Sequence, residues 1–257
     1  MTWLRIAVAV PLGLAFGSFL TVFTHRVPKG ESLVAPRSRC PSCGTRLRNA
    51  DNVPVVSWLL LRGRCRSCGA RISPMYPLTE IATAGLFAAA ALTIDGVWVS
   101  LMIAPFLGLM VAIAIIDVRH QIIPNRLVYP ALLVFAAYIL IGALAGGGLE
   151  VITAAIGMLA YGGALLLVAF ISPRGMGMGD VKLAALIGLV LGSVGLRYVT
   201  VAAAAGILLG GVAAIVALIA GASRKNAIPF GPFLTAGALV AAFLAPQISS
   251  MYLRYVT

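Results

Sequence analysis

A chain of 257 residues that is 61% hydrophobic and only 10% charged does not fit a water-soluble domain, which is usually about 45–50% apolar and about 25% charged. Its net charge of +12 would suit a nucleic-acid binder. The Lys and Arg residues, however, lie in short stretches between apolar runs, not on one face or among stacking aromatics. Burial in a bilayer accounts for both features.

In chain order, apolar runs fall at about 3–24, 77–94, 97–116, 127–145, 151–171, 183–196, 198–220 and 230–247. They predict an all-α polytopic membrane protein of about eight transmembrane helices. The sixth run is short and contains glycine, so it is expected to tilt or to lie among its neighbours. The implied division is a first transmembrane helix at 1–24, a cytosolic loop domain at 25–76, and a transmembrane bundle at 77–257. The first run could be taken for a secretory signal peptide with Arg5 ahead of it. It continues to Phe23, and the charge that follows in His25, Arg26 and Lys29 outweighs the charge before it, so it reads as an uncleaved helix.

Positive charge then orients the chain. With the N-terminus outside, segments 25–76, 117–126, 172–182 and 221–229 face the cytosol and hold 16 of the 19 Lys and Arg residues. Arg5, Arg197 and Arg254 remain outside, and both termini are expected there.

The loop at 25–76 carries all four cysteines, as Cys40-Pro-Ser-Cys43 and Cys65-Arg-Ser-Cys68, with 21 residues between the pairs. Two CxxC turns can supply the four thiolates of a tetrahedral Zn²⁺ site, and Gly44 and Gly69 suit tight turns that bring N–H groups to the sulfurs. Two disulfides or four free thiols are the alternatives; a reducing cytosol disfavours the former. Four protein ligands leave no position for water, so such an ion holds the loop and does no chemistry. The arginines of this loop are expected to anchor the topology and meet anionic lipid headgroups, with substrate recognition as the alternative.

Seven acids occur in the chain: Glu31, Asp51, Glu80, Asp95, Asp117, Glu150 and Asp180. Glu31 and Asp51 fall in the cytosolic loop and Asp95 and Glu150 in outer turns, where solvation explains them. Asp117 follows the apolar run from Val111 to Ile116, and Asp180 ends the stretch Gly175-Met-Gly-Met-Gly179. A carboxylate within a span costs about 2.5–3.5 kcal/mol on insertion scales, so it normally faces the bundle interior and has a use. Both acids fall near the cytosolic side and can meet. Two adjacent carboxyls that share a proton are the equipment of aspartyl proteolysis: one accepts a proton from water while the other donates to the peptide carbonyl. The glycines before Asp180 would let a substrate backbone approach or permit unusual dihedrals, or else serve helix packing. Alternatives stay open. Asp117 could be a terminal acid paired with Arg119, and two interior carboxylates could line an ion path in a transporter or channel.

Several segments, in order, resemble the type IV prepilin peptidase family of bifunctional leader peptidases and N-methyltransferases. They are Gly17-Ser-Phe-Leu20 with Arg26-Val-Pro28, both CxxC pairs, Pro54-Val-Val-Ser-Trp58 with Leu61-Arg-Gly63, and Tyr76-Pro-Leu78 with Glu80. Ile116-Asp117 with Ile123-Pro124, Gly177-Met-Gly-Asp180-Val-Lys182 and Ile228-Pro-Phe-Gly-Pro232 complete the set. The resemblance implies that Asp117 and Asp180 are the catalytic pair of a GxGD-type intramembrane aspartyl protease, supported by Gly177, Gly179 and Lys182. It implies cleavage of type IV prepilins or pseudopilins after a Gly, on the cytosolic side of a bacterial cytoplasmic membrane. It also implies methylation of the new N-terminus with S-adenosylmethionine, tied to the first half of the chain. Glu80 is a candidate for that half, or else a structural partner for an Arg; no glycine fingerprint for a cofactor is present. Thr21, Met75 and Asn125 stand where the family commonly has Asn, Arg and Asp.

Overall fold

The computed structural model describes residues 2–33, 38–172, 176–221 and 229–256, with side chains as far as Met251. Gly175, Ile228 and the side chain of Arg254, all named above, lie outside them. The described residues form α1 (Thr2–Arg26), α2 (Val56–Leu60), α3 (Met75–Thr93), α4 (Val97–His120), α5 (Asn125–Leu144), α6 (Val151–Ile171), α7 (Met178–Gly192), α8 (Leu196–Ile219) and α9 (Gly231–Val256). Two isolated bridges, Arg39 to Arg46 and Arg64 to Arg71, are the β-pairing among them.

Seven of these helices are long and apolar enough to cross a membrane. The remaining apolar run, the sixth, is α7. At 15 residues it reaches only about 22 Å, short of a hydrocarbon core of about 30 Å. It is enclosed by α4, α5, α6, α8 and α9, and its stretch from Leu183 to Leu191 is almost entirely buried. The short sixth run is thus the inside of the bundle. α4 is likewise interior: its Phe106, Leu107, Met110, Ile113 and Ile116 are fully buried. The outer faces of the remaining helices, with Leu133, Leu144, Leu167 and Leu208 exposed, carry the apolar surface that lipid would cover.

Three close helix pairs, α1 with α3, α6 with α7 and α8 with α9, build the bundle. Small residues set their separation, as is usual in membranes where backbone contact replaces a hydrophobic drive. A Cβ on Gly17 would stand 2.8 Å from Glu80 Cα, and one on Gly188 would strike the Gly157 carbonyl oxygen.

Helix ends around Asp117 follow from local chemistry. α4 runs to His120, past the apolar limit at 116, so Asp117 sits inside its last turn. Gln121 closes it in the left-handed conformation, its N–H donating to the Asp117 carbonyl at 2.8 Å. Pro124, with φ −70° and ψ 129°, then holds the chain extended and starts α5.

Candidate active site

Asp117 is 4% exposed. Its Oδ2 accepts the backbone N–H of Gly231, the first residue of α9, at 3.0 Å. A helix N-terminus has unpaired N–H groups and a positive dipole end, so it favours an acid there. Arg119 does not pair with Asp117; among the described residues the ion pair is Arg66 with Asp51.

Asp180 lies half-buried in the first turn of α7, its N–H donating to the Gly177 carbonyl at 3.1 Å. The two acids lie within electrostatic reach of each other. Ile123, between α4 and α5, links them: a Cβ on Gly179 would stand 3.0 Å from Ile123 Cβ, and one on Gly231 would stand 3.3 Å from Ile123 Cδ1. The glycines of the Asp180 motif therefore serve space rather than unusual dihedrals. Gly177 has an ordinary extended φ of −77° and ψ of 143°, but a Cβ there would lie 3.2 Å from Asp180 Oδ2.

Lys182 is turned away from this pair. Its Nζ donates to Asn125 Oδ1 at 2.7 Å and stands 5.3 Å from the centre of the Tyr129 ring. It joins the first residue of α5 to the second turn of α7.

Glu80 belongs to the seam between α1 and α3. It is 6% exposed, with Gly17 closing over its Cα. Its Oε2 accepts the Val55 N–H at 2.8 Å, so among the described residues its partner is a loop backbone and not an arginine.

The four cysteine Sγ atoms lie within 4.8 Å of one another, with Cys40 and Cys65 buried and Cys43 and Cys68 exposed. Two sulfurs at about 2.3 Å from a tetrahedral Zn²⁺ stand about 3.8 Å apart. The Cys40–Cys68 separation is 3.9 Å and all four thiols are free, so the donor set fits that ion. The two turns are built alike. Gly44 N–H donates to Cys40 O and Gly69 N–H to Cys65 O, each at 2.9 Å, with φ of +69° and +70°. The Thr45 hydroxyl and backbone N–H hold the Cys43 thiol down to about 6, toward the thiolate that a metal requires.

One partner of the site is not announced by the sequence. Gly231 had no assigned role, although it lies in Phe230-Gly-Pro232 beside a conspicuous proline. The twin cysteine turns do announce themselves as a repeat, Arg39-Cys-Pro-Ser-Cys-Gly-Thr-Arg46 and Arg64-Cys-Arg-Ser-Cys-Gly-Ala-Arg71.

Comparison with known proteins decides the family. Residues 12–94 match the bacterial peptidase A24 N-terminal domain, and residues 104–222 match the type IV leader peptidase family. A protein of Bacillus subtilis (strain 168) named prepilin leader peptidase/N-methyltransferase is 35% identical, covering 94% of this chain and 95% of its own. Proteins of the same name from Aeromonas hydrophila and Pseudomonas aeruginosa are 32% and 31% identical, over 98% and 95% of this chain and 95% and 92% of theirs. The chain belongs to the type IV leader peptidase family. No solved structure matches it. Within the family match at 104–222 lie both Asp117 and Asp180, while Glu80 and the cysteines lie in the N-terminal match; Gly231 is beyond both.

Proposed function

We propose that this protein is a prepilin leader peptidase whose reacting groups are Asp117 and Asp180. The observation that carries the reading is that Ile123 packs against both Gly179, next to Asp180, and Gly231, whose N–H holds Asp117, in a member of a leader peptidase family. One carboxylate takes a proton from the attacking water. The other, neutral, donates to the peptide carbonyl oxygen. The Gly231 N–H fixes one Asp117 oxygen and thereby the carboxyl plane. Gly177 and Gly179 keep the approach to Asp180 free of side chains. Lys182 and Asn125 brace the helices that carry it.

In this reading the N-terminus lies outside, the site opens at the cytosolic edge of the cytoplasmic membrane, and the substrates are type IV prepilins or pseudopilins. The bundle at 77–257 carries the peptidase site and the loop at 25–76 forms a separate unit. Cys40, Cys43, Cys65 and Cys68 would hold Zn²⁺, which would order the loop without activating water, since all four positions are protein sulfurs. The N-methylation named for the relatives is proposed for this chain also, with S-adenosylmethionine as methyl source. Glu80 contributes to it by holding the loop in place. The transport alternative is not favoured, because the family and the relatives are peptidases by description.

The test is co-expression with a prepilin, followed by mass determination of its N-terminus. Loss of the leader plus one methyl group is expected. A precursor left whole, with the enzyme present in the membrane, would overturn the reading.

A further inference from the structure

The loop between the first two spans contains one apolar face that no other described residue covers. On α2, Val56, Leu59 and Leu60 recur at the spacing of one helical face, and all are exposed, Leu60 by 78%. The opposite side packs inward: Trp58 Nε1 donates to Ile72 O at 3.2 Å, and a Cβ on Gly63 would stand 2.9 Å from the Trp58 ring. The exposed face is therefore not a consequence of a loose helix.

The residue before α2 fixes its depth. Val55 has φ 60° and ψ −51°, and the Val56 N–H turns back to Pro54 O. This is the rare positive-φ γ-turn, costly for a β-branched residue, and it persists only where surroundings hold it. Glu80 holds it, by the 2.8 Å bond from Val55 N–H to Oε2. α3 has 19 residues, about 28 Å, so crossing a core of about 30 Å uses its whole length. Glu80, five residues along, then lies about 7 Å below the plane where α3 enters. Its side chain leans back toward the helix start, which brings Val55 to the boundary between headgroups and acyl chains. Leu78 and Ile81, on either side of Glu80, are exposed and belong to the lipid-facing belt.

We propose that α2 lies in the plane of the membrane, with Val56, Leu59 and Leu60 in the outer acyl region and the loop domain resting on the bilayer. A helix of this kind settles about 5–10 Å into the boundary layer, the depth that Glu80 imposes. The exposed Arg62, Arg64 and Arg71 that follow stand at headgroup level, where anionic lipid favours them. The occupant of the face is phospholipid, because the Val55–Glu80 bond ties the start of α2 to the part of α3 where Leu78 and Ile81 are exposed. The inference rests on the membrane-spanning fold and not on the peptidase reading, so cleavage assays neither support nor sink it.

The test uses the full chain in phosphatidylcholine–phosphatidylglycerol vesicles, with trifluoromethyl-phenylalanine incorporated at position 60 and fluorine NMR as readout. Position 133 on α5 serves as the lipid reference and position 67 in the loop as the water reference. A lipid spin-labelled near the headgroup is expected to broaden the signal from position 60 several-fold more than that from 67, while an aqueous gadolinium chelate does the reverse. Glu80→Ala in the same labelled protein is expected to move position 60 toward the water pattern. A signal from 60 that tracks 67 would overturn the proposal. Protection from both agents would overturn it too, since a second copy or a bound substrate stem would then cover the face. Unchanged broadening in Glu80→Ala would remove Glu80 as the anchor and with it the depth argument.

Discussion

Gly231 donates its backbone N–H to Asp117 Oδ2 at 3.0 Å, so the first residue of α9 grips the acid in the last turn of α4. Only hydrogen fits on that Cα, because a Cβ would come 2.6 Å from the carboxylate oxygen. Gly231→Ala should push the carboxyl aside and lengthen this bond. Hydrogen bonds to charged groups contribute about 1.5–3 kcal/mol, so leader cleavage should fall about tenfold to a hundredfold. Single-turnover cleavage of a detergent-solubilised prepilin measures it, and an unchanged rate would count against Gly231.

Glu80 and Val55 offer a second contrast. Glu80→Ala leaves the Val55 N–H without its partner and should destabilise the loop by about 1–3 kcal/mol, whereas Glu80→Gln keeps a carbonyl acceptor and should cost less. Limited trypsin digestion of the Arg-rich loop reads the difference. The Ala variant should be cut faster than the parent, with Gln between them.

The strut between Lys182 and Asn125 is partly exposed, and its effect should be modest. Lys182→Met should lower unfolding stability in mixed micelles by about 0.5–1.5 kcal/mol. Asn125→Asp would turn the neutral contact into an ion pair and should gain no more than about 1 kcal/mol. That gain should vanish when Lys182→Met is also present. A gain that persists would mean that Asn125 acts through another group.

For the cysteine cluster, purified protein should contain about one zinc ion per chain. Cys43→Ser should reduce that content, and chelators should expose the loop to trypsin. Elemental analysis beside the digestion pattern checks both. Full zinc retention by the Ser variant would mean that the ion sits elsewhere.

Much of this architecture is legible in the sequence because lipid imposes it. Runs such as 97–116 and 198–220 must be apolar throughout, and positive charge must gather between alternate runs. The short run at 183–196 could be picked out as unusual from its length alone, and its interior place follows from α7 being too short to face lipid on both ends. The cysteine turns were readable from CxxC and glycine. What sequence does not carry is which backbone group meets which acid. The Asp117–Gly231 contact spans 114 residues and depends on how α9 crosses α4, while the Glu80–Val55 bond joins a span to a loop whose apolar face has no periodic partner. Of the two expectations for glycine beside Asp180, close approach and unusual dihedrals, the second does not apply to Gly177, which is extended. Its value is the space it leaves.

The central claim is that Asp117 and Asp180 act together on the scissile peptide. The most direct measurement is the intact mass of a prepilin co-expressed with Asp117→Asn, Asp180→Asn or the parent, at matched enzyme levels and zinc content. The account predicts a processed pilin with the parent and full-length precursor with either single variant. Normal processing by either Asn variant would contradict it.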